Sequence, residues 1–291
     1  MNPKNVVISG YATLDYVAQL ATEFNGTGTV LGNLGVSGAW PRAGGAALYA
    51  SRRIAAAGLK AFPLTWIGDD GDGGHYLSAC QRSQICCEAI DQRRAAKTPR
   101  CVLIYNPGGE HGCLLDADLE DHEVVTESQQ MIIGMADHLC VSAGPAQATD
   151  AIIAHYPLDR SLSWIAKLDR RSFPDWLCKK LACRAQLIFC NASEREFIEA
   201  AHQGARPADQ IIIETLGGAG VLIDAPDGRR IISARAIKTY DTTGAGDTLA
   251  GEVIAKYLYG QVAIDEAVSF GMAAATDLLA SRTANSDIGR S

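Results

Sequence analysis

The sequence is short of positive charge, of long apolar runs and of the cysteine spacings that hold metals. Lysine and arginine number 26 against 33 acidic residues, a formal net charge of −7. Binding to a nucleic-acid backbone releases counterions only where Lys and Arg cluster, so no nucleic-acid partner is expected. No apolar run approaches the roughly 20 residues of a membrane-spanning helix. The N-terminus enters directly into Val6-Val7-Ile8 instead of the basic and apolar segments of a signal peptide, so neither a membrane nor secretion is expected. The nine cysteines are odd in number and scattered, with no Cys-x-x-Cys pair. They read as small core residues in a reducing cytoplasm. The phosphate loop Gly-x-x-x-x-Gly-Lys-[Ser/Thr] is missing, which excludes the P-loop grip. Also missing is a strand, Gly-x-Gly-x-x-Gly, helix and distal acid in series, which excludes a dinucleotide-dependent oxidoreductase.

What is present is a strand and helix alternation. The chain has 291 residues, 47% hydrophobic and 20% charged, enough to bury a substantial core. Short apolar runs predict strands at about 5–10, 61–67, 138–142, 163–168, 186–190 and 211–215, with helices between them. Such alternation implies a parallel sheet covered by helices. Connections are too irregular for a TIM barrel. Residues 1–291 read as one domain, with a flap at about 16–40 and a hairpin at about 98–115 around Asn106-Pro107-Gly108-Gly109. Gly68 to Gly73 reads as an acidic, glycine-rich loop that follows a strand and lacks the glutamate a calcium loop needs. Ser193 and Glu196 have capping-box spacing. A last helix is expected at about 263–280, with a loose polar tail after Ser281.

The most informative stretch is Asp241-Thr242-Thr243-Gly244-Ala245-Gly246-Asp247-Thr248. A β-like run, Arg230 to Ala236, precedes it, and Leu249, Val253, Ile254 and Tyr257 follow at helical spacing up to Gly260. A glycine turn therefore opens a helix. The first amides of a helix lack internal partners and sit at the positive end of its dipole, so Gly244, Ala245 and Gly246 form a seat for phosphate. Asp247 stands at its rim. A carboxylate beside a phosphate is unfavourable unless it has a task, and removing a proton from an attacking hydroxyl is the natural one. Asp15, just beyond the first strand, is positioned to meet a substrate hydroxyl, as ligands gather beyond the carboxyl ends of parallel strands.

The octet resembles the second signature of the PfkB (ribokinase-like) family of carbohydrate and nucleoside kinases, Asp-Thr-x-Gly-Ala-Gly-Asp. Three further pieces resemble that family in its own order. Gly44-Gly45, a helix, a strand and Gly68-Asp69-Asp70 are similar to its first signature. Asn191-Ala192-Ser193-Glu194 matches Asn-x-x-Glu, and Thr215-Leu216-Gly217-Gly218-Ala219-Gly220 matches Thr-x-Gly-x-x-Gly. The resemblance implies a ribokinase-like three-layer α/β/α sandwich with a mostly parallel central sheet and a small β lid, which often pairs with a second subunit. It implies Asp247 as catalytic base, with Gly244, Ala245 and Gly246 as anion hole, and Gly44 and Gly45 beside the acceptor. Asn191, Thr215, Gly217 and Gly220 would lie along the nucleotide, and Glu194 would orient Mg²⁺ through water. Asp241 would help hold a monovalent cation such as K⁺. At the position where the family commonly has an acceptor-binding Asn this chain has Tyr49, a ring that can stack on an acceptor or pack in the core.

The expected reaction is transfer of the γ-phosphoryl of ATP to an alcohol. The acceptor stays open among a simple sugar, a nucleoside and an inositol-like polyol. An alternative of another class is a degenerate kinase that binds ligands without turnover.

Overall fold

The structure, a computed structural model, describes residues 3–34, 40–94, 96–108, 111–117, 124–204, 206–235, 237, 239 and 241–287. Its elements in chain order begin with β1 (Asn5–Ser9), β2 (Thr13–Leu20), β3 (Gly32–Asn33), β4 (Arg42–Gly44), α1 (Ala46–Ala56), β5 (Lys60–Gly68) and α2 (Gly71–Arg82). Next come β6 (Ile90–Arg93), β7 (Arg100–Tyr105), β8 (His111–Asp116), α3 (Glu127–Met135), β9 (His138–Val141), α4 (Ala146–His155) and β10 (Ser161–Ile165). The chain continues through α5 (Asp175–Arg184), β11 (Leu187–Asn191), α6 (Ala192–His202), β12 (Ile211–Thr215), β13 (Val221–Ala225) and β14 (Gly228–Ile232). It closes with α7 (Ala245–Val253), a π-helical stretch Ile254–Tyr259, and α8 (Ile264–Asp287).

Nine strands form the main sheet in the order β14-β13-β12-β11-β10-β9-β1-β5-β6, parallel from β6 to β12 and antiparallel over β12, β13 and β14. The inner strands are buried on both faces, which is why they read as unbroken apolar runs, while the edge strands β6 and β14 are more exposed. Alternate side chains divide between two cores. Val7, Leu139, Val141, Trp164 and Ile188 face α3 to α6, packing with Ile133, Ile152, Leu181 and Ile198. Val6, Ile8, Phe189, Ile211 and Ile213 face α1, α7 and α8, packing with Ala50, Ile54, Val253 and Val268. Trp164 is fully buried, and its truncation to Ala would cost about 3–5 kcal/mol. Helices α1 and α7 touch almost backbone to backbone, since a Cβ on Gly251 would lie 2.5 Å from the Ala50 carbonyl oxygen.

A second sheet, β3-β2-β7-β8 with β4 paired to β2, is separate from the main one. Strands β2 and β3 fall largely in the segment expected as a flap and β7 and β8 in that expected as a hairpin, and residues 35–39 and 109–110 of these segments lie outside the described residues. Asp15, beyond the first strand as read, is inside strand β2. Three expectations change. The acidic stretch after Gly68 starts a helix, with the Asp70 carboxylate accepting from the Gly73 amide. The strand before the octet ends at Ile232, and Ala236 lies outside the described residues. Helix α8 runs on past Ser281 to Asp287, which buries Arg282. Among the described residues no helix is long and apolar enough to cross a membrane.

Candidate active site

Gly244 caps α7 at φ 74°, a left-handed conformation that L side chains resist. Its missing side chain also makes room for Tyr49, because a Cβ there would come within 2.6 Å of the Tyr49 ring. The Ala245 amide closes the turn onto the Thr242 carbonyl at 3.2 Å. Within the described residues the amides of Gly246 and Asp247 have no backbone partner, and the space beside Gly246 is open. The Gly244 amide likewise has no backbone partner there, so of the three expected amides only that of Ala245 is engaged. Asp247 stands in the first turn of α7, half-buried, and burial pushes its carboxyl above the usual range while the Lys167 ammonium acts in the opposite direction. A carboxylate with raised basicity beside open amides suits proton removal.

Asp15 lies in β2 directly opposite Arg42 of β4. Its Oδ1 accepts from the Thr13 hydroxyl at 2.7 Å, and its Oδ2 is buried without a partner. Burial, only partly offset by Thr13 and Arg42, raises its pKa to about 6. A Cβ on Gly44 would sit 2.1 Å from Asp15 Oδ2, and one on Gly45 would sit 2.2 Å from the Tyr11 carbonyl oxygen. The two glycines thus have a structural reason of their own beside the expected one. They make room for the chain's own Asp15 and Tyr11.

Tyr49 is 2% exposed, so its ring faces are covered by protein and stacking on an acceptor is not its role here. Its hydroxyl accepts from Arg282 Nη2 at 3.1 Å. Asp241, expected at a monovalent cation, has both carboxylate oxygens occupied. Oδ2 accepts from Arg42 Nη1 at 2.7 Å, and Oδ1 from Arg282 Nη1 at 3.2 Å and the Thr243 amide at 3.1 Å. Burial works against the Asp241 charge, but the two guanidiniums prevail and hold its carboxyl below the usual range. These residues do not fit a metal cation at Asp241.

Asn191 caps α6 and Glu194 completes the box: the Asn191 side chain accepts from the Glu194 amide at 3.0 Å, and Glu194 Oε2 from the Asn191 amide at 2.8 Å. The capping box predicted at Ser193 and Glu196 is thus found two residues earlier, at Asn191 and Glu194, because β11 extends to Asn191 in register with Thr215. Burial raises the Glu194 pKa; the Lys167 ammonium and the Asn191 and Leu168 amides oppose the rise. Thr215 ends β12, and Gly217 to Ala219 form a single 3₁₀ turn in which Gly217 has open space beside it. Among the described residues no group of three or more His, Cys, Asp or Glu is assembled to hold a metal directly. Glu194 and Asp247 nevertheless suit Mg²⁺ that keeps its own waters and takes its inner oxygens from phosphates.

Sequence reasoning missed four residues here: Arg42, Tyr105, Lys167 and Arg282. Arg42 stands two places before Gly44, and Lys167 follows the β10 apolar run, so each had a positional signal. Tyr105 Oη, 2.7 Å from Thr243 Oγ1, and Arg282 had none.

In this α/β protein a glycine-capped helix, α7, opens with an acid in its first turn and unpartnered amides beside it. The model of the pfkB family of carbohydrate kinases matches residues 32–288, and the chain belongs to that family, as a kinase. It is similar to the ribokinase of Mus musculus, 25% identical over 240 residues, 72% of this chain and 69% of that one. In three dimensions it is similar to a ribokinase of Cryptococcus neoformans solved in complex with ADP, at a TM-score of 0.79 and 18% identity, covering 94% and 92% of the two chains. The nucleoside kinase of Methanocaldococcus jannaschii gives 0.77 at 16% identity, covering 95% and 91%. These structural likenesses show the ribokinase-like three-layer fold.

Proposed function

We propose that the protein transfers the γ-phosphoryl of ATP to a hydroxyl of a small sugar or sugar-like acceptor, with Asp247 as general base. The observation that carries this is the pairing of the open Gly246 and Asp247 amides with the raised, half-buried Asp247 carboxyl in one helical turn. As the acceptor oxygen bonds to phosphorus and the bond to the ADP oxygen breaks, Asp247 takes the hydroxyl proton. The helix-start amides bear part of the charge that spreads over the phosphoryl oxygens. Asp15 Oδ2, buried and unpartnered, receives a second acceptor hydroxyl and so orients the first. Magnesium, bound with ATP through waters held at Asn191 and Glu194, would offset phosphate charge. Thr215, Gly217 and Gly220 would line the nucleotide along the β12–β13 turn.

A polyhydroxy acceptor is favoured over a nucleoside for one reason. The covered Tyr49 ring removes the stacking surface that a base would use, while the unpartnered Asp15 oxygen asks for a hydroxyl. Nucleoside and inositol-like acceptors remain the alternatives within the reaction, and ligand binding without turnover is the alternative to it. The second sheet would be the lid, and its less buried face carries Tyr16, Val102, Ile104 and Leu114, the last 62% exposed, which supports pairing of two lids in a homodimer.

The test is ADP release with Mg·ATP across ribose, fructose, inositol and several nucleosides, with Asp247→Asn run in parallel. Turnover on one acceptor class that disappears in the variant supports the reading. Turnover that survives Asp247→Asn removes Asp247 as base, and ATP binding with no turnover on any acceptor favours the binding protein.

A further inference from the structure

We infer that this chain has replaced the monovalent cation at the start of its catalytic turn with its own arginines, Arg42 and Arg282, and that the turn is held without K⁺. The inference rests on the kinase reading only where activity is measured.

An alkali cation bound at a carboxylate is held by gathering oxygens, main-chain carbonyls as well as the carboxylate itself. Arg282 gathers the same kinds of oxygen. Its Nη1 donates to Asp241 Oδ1 and to the Asp241 carbonyl oxygen, each at 3.2 Å, and its Nη2 donates to the Tyr49 hydroxyl. Arg42 takes the other carboxylate oxygen, Oδ2, at 2.7 Å. Tyr105 Oη donates to Oδ1 at 3.3 Å, so donors surround the carboxylate. The side chains of Asp241 and Arg282 are 5% and 7% exposed, leaving little room for a hydrated ion between them.

Charge leads to the same conclusion. The two guanidiniums face Asp241 and Asp15, so the cluster balances when both acids are ionised, and the Arg52 guanidinium lies over the Tyr49 ring at 5.7 Å. A further cation would be a third positive charge against two negative ones in a poorly solvated place, where repulsion is weakly screened. The neighbouring glycine turn is tied to this cluster by two routes. The Thr243 amide bonds Asp241 Oδ1, and Tyr49, anchored by Arg282, lies against Gly244. Arg282 and Arg42 are thus positioning residues for the anion seat. Tyr49 in place of the family's usual Asn belongs to the same replacement, because it joins Arg282 to Gly244.

The test compares the native protein in KCl and in tetramethylammonium chloride at equal ionic strength. Thermal unfolding is followed first, since a bound ion raises the transition whether or not an acceptor is known. Coincident curves are expected, and ADP release with any acceptor that turns over should agree within about twofold. A transition raised specifically by KCl, or several-fold activation by KCl, overturns the inference. In Arg282→Ala the vacated oxygens should acquire a KCl-specific rise in the transition, and in Arg282→Lys, which keeps a cation there, they should not. Should Arg282→Ala fail to fold, the native comparison decides alone. Absence of turnover with coincident curves would count against the kinase reading while leaving the arginine replacement standing.

Discussion

The ring of Tyr49 lies beneath Gly244 so closely that a single added carbon at Gly244 would approach Tyr49 Cδ2 to 2.6 Å. The contact joins α1 to the residue that caps α7. It makes Gly244 sensitive on two counts, its φ of 74° and this contact. Gly244→Ala should lose roughly 1–2 kcal/mol from the left-handed backbone and about 1–3 kcal/mol from overpacking. Urea unfolding measures the sum, and a loss below about 1 kcal/mol would show that the ring moves aside freely. Turnover should fall more than stability implies, because the amides move with the turn.

Asp247→Asn should lower kcat by a factor on the order of 10² to 10⁴, the usual share of a positioned base. ATP binding, followed by calorimetry, should be largely kept, since the amides of the seat remain. Equal losses in kcat and in ATP affinity would instead assign Asp247 to binding.

Asp15 gives a pH prediction. With its pKa raised to about 6, it is protonated in acid and loses an oxygen that can accept a hydroxyl proton. The value of kcat/KM should therefore rise with pH through about 6, and this limb should vanish in Asp15→Asn along with much of the acceptor affinity. Stability runs the other way. A carboxyl raised in the fold contributes most below its unfolded value near 3.8 and loses that contribution as pH passes about 6. Asp15→Asn should thus be at least as stable as the native protein at pH 8 (~8, well above both values), a trade of stability for function.

His138 supplies the opposite slope. It is fully buried between the Ser161 and Ser163 hydroxyls, at 2.7 and 2.6 Å, and burial pushes its pKa down to about 3. The fold keeps it neutral, so the unfolded chain takes up the extra proton as pH falls below the ordinary value of 6.5. Stability should drop by roughly 1.4 kcal/mol per pH unit from this residue between about 6.5 and about 3. Urea midpoints at several pH values would show it as a steeper acid slope in the native protein than in His138→Gln. Parallel slopes would mean that the imidazole is charged in the fold.

The legible parts of this site were those whose geometry is local. Gly244, Gly246 and Asp247 stand within one helical turn, so their relation follows from helix geometry alone, and the sequence was enough to read it. Spacing alone could not choose between Asn191 with Glu194 and Ser193 with Glu196, which both stand three apart. Strand β11 chose, by staying paired with β12 until Asn191 met Thr215. Asp15 was not legible as a strand residue, because its pairing with Arg42 crosses a segment with little apolar pattern.

By itself the sequence determined the alternating α/β class, the helix that opens on a glycine turn, and the acid in its first turn. These depend on apolar periodicity and on backbone amides, both of which act between near neighbours. Only the tertiary structure decided what Asp241 binds and what Tyr49 does. Arg42 is 199 residues from Asp241 and Arg282 is 41 away. They meet it because strand β4 and the end of α8 are packed onto the same turn. A polar residue near a chain end reads as solvated until packing buries it, and once buried, a guanidinium must find its carboxylate.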